Sequence, residues 1–373
     1  MPRLQRYLLL LAGALAIAFF FYKFRNSIGL EGFRWGMVGA SLRHARIGLL
    51  LLGLVTIYVC FAIRALRWQH FCRWLGPSHF WRVYGATLMG FACVFLLGRA
   101  GEPVRPVLIA RKDSLSVAGM FGVYVLERVA DIAAAVVVAI LALFLFQRQH
   151  LGGAVASSDV PVMQIARSAA TALFAGLVGV IAFLVYFRYH GAAWLGRRLE
   201  QSRWRHGWRG RVILLLEGFS EGLQGIRTWN DLGALVLYSA LHWALISFFY
   251  FWVTHAFPGK LSSLPFSSVL LVMAFSLVGS TVQLPAVGGG SQAATFLVFT
   301  LVFGVEKEPA IVASVVIWLI GSASCALAGL PLLFREGWSM GDLGRMARAE
   351  EQASLPKDLS ESGDAAASNE GSR

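Results

Sequence analysis

The sequence predicts an all-α polytopic membrane protein, and three observations carry that prediction. Only 14% of the residues are charged and 57% are hydrophobic, whereas soluble domains carry about 25% charged residues. Apolar segments recur from residue 4 to residue 334 with no polar domain between them, so one membrane domain over 1–335 is expected. Glycine, at 39 of 373 residues, exceeds the usual share of about 7%, as happens where membrane helices pack closely.

Taken in order, the first apolar run, 7–22, follows Arg3 and Arg6 and lacks a small-residue cleavage site, so it reads as a retained anchor. Further runs cover 47–66, 83–97, 121–146, 168–187, 232–256, 266–284, 293–303 and 310–334. A helix that crosses the hydrocarbon needs about 20 residues, and the runs at 83 and 293 are shorter than that. Both adjoin unusual backbone: Gly98 to Pro106 after the first, Pro285 with Gly288, Gly289 and Gly290 before the second. Proline and clustered glycine break helices, and broken backbone at membrane depth survives only where protein or a water-filled cavity satisfies it. Each half then reads helix, helix, broken hairpin, helix, over 4–146 and again over 168–334. The expectation is two inverted repeats with about six full transmembrane helices and two re-entrant hairpins.

The formal net charge of +13 is uneven: residues 1–334 hold 28 Lys+Arg against 12 Asp+Glu, and residues 335–373 hold 5 against 8. Basic loops beside membrane helices fit cytoplasmic retention and anionic lipid headgroups; no nucleic-acid motif accompanies them, so nucleic acid is not expected as a partner. With both broken segments as hairpins, 23 Lys+Arg fall inside and 9 outside; with 83–97 crossing, the division is 22 to 10. Both arrangements put the linker 188–230 and the tail in the cytoplasm of an inner or plasma membrane, and the hairpin arrangement puts the N-terminus there too. The linker contains an amphipathic stretch over 211–229 that suits either the membrane surface or the bundle's cytoplasmic ends, and the tail from 336 to 373 is polar and expected to be disordered. The four cysteines are scattered, without a CxxC pair, so neither a zinc site nor a disulfide framework is suggested. No nucleotide-binding motif is present and no cofactor is expected.

The chemistry-bearing residues gather at the two breaks. Arg99, Glu102 and Arg105 occupy the first, and Glu127, Arg128 and Asp131 lie inside the apolar run that follows. Glu127 and Asp131 share a helix face, and charges at that depth pair with one another or with a substrate. Two readings are open: the arginines hold a lipid phosphate, or the cluster is an ion-pair network pinning the hairpin to the helix. Loss of Arg128 is expected to harm folding, whereas Arg105, nearer the cavity mouth, is expected to matter for lipid movement alone. The second break carries only neutral groups, Ser280, Thr281, Gln283, Ser291 and Gln292, beside Gly288 to Gly290, and Gln292 is expected to face the cavity. His242 and His255 are lone histidines with no second metal-type ligand at a suitable spacing.

The stretches Arg64-Ala65-Leu66-Arg67-Trp68, Gly98-Arg99-Ala100-Gly101-Glu102-Pro103-Val104-Arg105, Glu127-Arg128-Val129-Ala130-Asp131 and Pro285 with Gly288-Gly289 together resemble the lysylphosphatidylglycerol synthase transmembrane family, also called the flippase-like domain family. The resemblance covers roughly residues 4 to 335. It implies inverted repeats with re-entrant hairpins, a phospholipid or lipid-linked substrate, and a role in moving lipids between leaflets without the aminoacyltransferase that some members carry. The sequence departs from the family's Pro-Gly-Gly-x-Gly-x-x-Glu pattern, since no acid follows Gly290 and Gln292 lies near the expected place. An intramembrane enzyme acting on a lipid-linked substrate and a structural membrane subunit are the rival readings. Gly289-Gly290-Ser291 with His242 also invites comparison with a membrane serine protease, although Gln292 follows Ser291 where such proteases use a glycine.

Overall fold

The computed structural model describes residues 35–150, 228–284 and 288–337, with isolated helical positions at Thr171, Ala175, Val178, Gly179 and Ala182. The expected anchor at 7–22, nearly all of the run at 168–187, the linker before Thr228 and the tail from 338 lie outside the described residues. What is described is an all-α polytopic membrane protein. Five of its helices are long and apolar enough to cross a membrane: Ile47–Cys72, Phe80–Leu97, Val117–Phe146, Trp229–His255 and Lys307–Arg335.

A short helix α1 (Trp35–Arg43) precedes α2 (Ile47–Cys72), whose 26 residues exceed the expected run 47–66 by a turn and a half. Its lipid-facing stripe is plain in the four-residue spacing of the exposed Ile47, Leu51, Val55 and Val59. The opposite face buries Cys60, Ala65, Trp68 and Phe71.

The first hairpin is α3 (Phe80–Leu97), a 3-10 turn at Gly98–Gly101, and α4 (Val104–Asp113). At 18 residues, or about 27 Å, α3 is longer than the expected run and could span. The chain nevertheless returns to where it entered, because Arg82 at the start of α3 pairs with Asp113 at the end of α4 at 3.1 Å. Pro103 and Pro106 are tolerated at the start of α4, where helical N–H groups lack partners anyway. The helix ends on Ser114 in a left-handed conformation, φ 54°, whose N–H bonds Ala110 O. Next comes α5 (Val117–His150), which carries the intramembrane acids.

The second set begins with α6 (Trp229–His255). Thr228 caps it: Thr228 Oγ1 accepts from the Asp231 N–H, and Asp231 Oδ2 accepts from the Thr228 N–H at 2.9 Å, a reciprocal capping box. The second hairpin is α7 (Phe266–Gly279), a two-residue antiparallel ribbon of β1 (Gln283–Leu284) and β2 (Gly288–Gly289), and α8 (Gly290–Leu297) prolonged by a π turn at Val298–Val302. Its ends also meet, Lys260 Nζ donating to Gly304 O at 3.4 Å. A last span is built from α9 (Lys307–Trp318), a π turn at Leu319–Ala323 and α10 (Ser324–Arg335).

The order helix, hairpin, helix therefore occurs twice, and the leading helices run in opposite directions. The Arg46 N–H donates to Ala256 O at 2.8 Å at one end of the α2–α6 pair, and His70 Nε2 lies 3.0 Å from Asp231 Oδ1 at the other. Each hairpin packs against a helix of the other set: α3 lies along α10, and α7 along α5. The tips of the two hairpins touch, the 3-10 turn against β1.

Candidate functional site

Helices α2, α4, α5 and α6 converge on a buried cluster of charge. Glu127, fully buried on α5, accepts from Arg67 Nη2 at 2.7 Å and Arg64 Nη1 at 3.3 Å and is also paired with Arg105. One turn further along, Asp131 takes Arg67 Nη2 and Arg64 Nη2, each at 2.9 Å. Glu127 and Asp131 thus share a face, as their four-residue spacing predicts. Their main partners are Arg64 and Arg67 on α2, which lie near the end of the apolar run 47–66 and are absent from the site expected from the sequence. Because α2 continues to Cys72, these arginines lie more than a turn inside it.

Arg105 is the piece that fastens the hairpin. Its guanidinium sits 4.2 Å over the Trp68 ring as well as against Glu127, and Gly90 on α3 makes room for it. A Cβ at Gly90 would lie 2.6 Å from Arg105 Cβ. By contrast, Arg128 is held only loosely, 3.6 Å from Glu127 and 3.8 Å from Asp131, with a side chain 36% exposed. This reverses the roles expected from the sequence: burial and pairing make Arg105 the structural member and leave Arg128 the accessible one.

Beside the cluster lies a cavity of ≈ 350 Å³, bordered by Arg64, Arg105 and Arg128, by Glu102 and Tyr124, and by His242. Glu102 pairs with the Tyr124 hydroxyl, and among the described residues with no arginine. Arg64 Nε donates to His242 Nε2 at 3.2 Å, so that nitrogen acts as an acceptor and the imidazole is neutral in this bond. Arg105 Nη1 is buried without a hydrogen-bond partner. Among the described residues four guanidiniums, Arg64, Arg67, Arg105 and Arg128, face three carboxylates, Glu102, Glu127 and Asp131, an excess of one positive charge. An unbalanced buried cation is costly, and an anion entering the cavity would relieve that cost. The side chain of Arg99 lies outside the described residues.

The second break closes the far end of this space. Gly288 and Gly289 have φ of 80° and 117°, values that a side chain disfavours. Gly290 approaches the backbone of Gly279 and Val282 too closely to admit a Cβ. Gln292 does not face the cavity as expected; its Oε1 accepts from the Gly289 N–H at 2.6 Å and from Ser291 Oγ at 3.2 Å, capping α8. Thr281 bonds back to Val278 O at 2.8 Å. Ser280 borders the charged cavity, and both Ser280 and Ser291 border a second one of ≈ 180 Å³. The side chain of Gln283 lies outside the described residues, as does Pro285. Ser291 and His242 border different cavities and each has another partner, which removes the serine–histidine pairing considered as an enzymatic alternative. Among the described residues no group of His, Cys, Asp and Glu could hold a metal ion.

Two broken hairpins meeting over a charged interior define a polytopic membrane protein built around a polar cavity. Residues 8–329 match the family described as lysylphosphatidylglycerol synthase TM region, and the chain belongs to it. Comparison with curated proteins gives no match. The family ties the chain to membrane lipid chemistry.

Proposed function

We propose that the chain is a lipid translocase that moves a phosphate-bearing lipid between the leaflets of the inner or plasma membrane, with 4–146 and 168–334 as its two inverted repeats and both termini in the cytoplasm. The observation that carries this reading is the unbalanced positive charge beside the cavity, with Arg105 Nη1 unpartnered and Arg128 accessible. A phosphodiester supplies the missing negative charge and several acceptor oxygens, which is what arginine forks recognise. The contact between the two hairpin tips, at the junction of oppositely running sets, is where a midplane substrate site is expected in repeat-built transporters.

The test is reconstitution in vesicles with a fluorescent phospholipid whose outer-leaflet fraction is read by chemical quenching. The parent should equilibrate the probe between leaflets, and Arg128→Gln should slow this about tenfold, a loss corresponding to one charge-assisted contact, with unchanged thermal stability in detergent. A well-folded Arg128→Gln protein that moves lipid at the parent's rate would overturn the reading, as would a parent that moves none.

A further inference from the structure

The second cavity, ≈ 180 Å³, adjoins the charged one and shares Ile57, Ile246, Ser280, Gly321 and Ser322 with it. Its walls are largely apolar, from Ile57, Ile246, Phe249, Leu277 and Ile317. They carry hydroxyls from Ser276, Ser280, Ser291, Thr295, Ser314 and Ser322, together with Tyr250 and Trp318, and no charged side chain. The protons of these hydroxyls are largely committed. Ser280 donates to Leu277 O at 2.6 Å, Thr295 to Ser291 O at 2.8 Å, Ser314 to Ala310 O at 2.7 Å and Ser291 to Gln292 Oε1 at 3.2 Å. Tyr250 donates to Ser276 Oγ at 2.8 Å. Lone pairs are left over, and lone pairs accept.

That inventory selects a ligand. A phosphate would find the hydroxyls of Ser276 and Ser322 and the Trp318 indole N–H, but no cation in the chamber to balance its charge. An ammonium finds acceptors but no carboxylate to neutralise it, and it would sit beside a cluster that already has a positive excess. A neutral polyol satisfies both conditions, since its hydroxyls donate to the free lone pairs and bring no charge. The volume corresponds to about six waters, enough for a small polyol.

We infer that the hydroxyl-lined chamber is a headgroup subsite for a neutral, hydroxyl-bearing lipid headgroup, adjoining the arginine site for its phosphate. The inference rests on the phosphate reading above and narrows it to a polyol or glycosyl lipid in preference to a cationic one. The Leu319–Ala323 π turn, with Gly321 and Ser322 on both cavity walls, lies where the two parts of the headgroup would join.

Three lipids that share a phosphodiester separate the possibilities: phosphatidylethanol, phosphatidylinositol and phosphatidylethanolamine. Each is titrated into the full-length protein in detergent, and bound lipid is counted by native mass spectrometry. Phosphatidylinositol should bind about tenfold more tightly than phosphatidylethanol, the worth of one or two net hydrogen bonds, and phosphatidylethanolamine most weakly. The double variant Ser291→Ala, Thr295→Val should bring phosphatidylinositol down to the phosphatidylethanol level. Equal binding of phosphatidylinositol and phosphatidylethanol by the parent overturns the inference, as does preference for phosphatidylethanolamine; these comparisons stand even if the double variant does not fold. Arg128→Gln should weaken all three lipids. If it does so while the parent fails to discriminate among them, only the headgroup subsite falls; if the parent binds none of them, the phosphate site falls with it.

Discussion

Arg67 and Glu127 form the most deeply buried ion pair among the described residues, Nη2 to Oε1 at 2.7 Å with side chains 1% and 0% exposed. The same guanidinium nitrogen reaches Asp131 at 2.9 Å, and Nη1 donates to Ser239 at 3.0 Å, so one side chain joins α2, α5 and α6. Removing Glu127 strands Arg105 in the interior and leaves Arg64 and Arg67 to share Asp131. Glu127→Ala is therefore expected to destabilise the protein by about 3–5 kcal/mol, read as a large fall in detergent thermal stability and in yield. The double variant with Arg67→Ala should lose clearly less than the sum of the single losses, and strict additivity would show that the pair is not coupled.

Gly90 offers a test of how tightly the first hairpin is closed. Gly90→Ala should push α4 off α3 and disturb Arg105, lowering both stability and lipid movement. Gly85→Ala on the same helix meets nothing within 4 Å and should be neutral or stabilise by about 0.5–1 kcal/mol through helix propensity. Thermal unfolding of the two variants side by side checks this; equal behaviour would mean that the close approach is not maintained.

At the second tip, Gly289→Ala should cost about 1–3 kcal/mol because of its positive φ. Gln292→Ala should cost about 0.5–2 kcal/mol by uncapping α8. Gln292→Glu keeps the acceptor for the Gly289 N–H and should retain parental stability. A Gln292→Ala protein with parental stability and altered lipid movement would return Gln292 to the cavity.

Accessibility labelling tests the hairpins. The native cysteines are free and buried, and in a background without them single cysteines at Pro77 and Ser116 should label from the same side of the membrane, with Ser263 labelling from the opposite side. Pro77 and Ser116 on opposite sides would mean that α3 crosses.

Sequence patterning made the helices legible because lipid-facing faces must be apolar along their whole length, and it located both breaks through Gly98 and Gly288 to Gly290. It also found Glu127 and Asp131, since acids in an apolar run stand out. Arg64 and Arg67 escaped because a hydropathy window ends where charge begins, while their neutralising partners lie some 60 residues away on α5. The capping bond of Gln292 is hidden in the sequence for a different reason. Its three-residue spacing from Gly289 is that of a helix cap, a local signal overshadowed by the search for cavity-facing polar groups.

The exchange of partners between the two sets, α3 along α10 and α7 along α5, bears on how the chain is made. While the ribosome has delivered only residues up to about 150, the first hairpin lacks the helix it will lie against, and α5 presents to lipid a surface reserved for α7. Docking of α3 on α10 must wait until Ser324–Arg335 arrives, and the contact between Lys112 on the first hairpin and Glu336 just past α10 then joins the two. Insertion is thus finished from the C-terminal end. A nascent chain stalled before α10 would hold a hairpin fastened on one side by Arg105 to α2 and α5, with the face reserved for α10 still open to lipid.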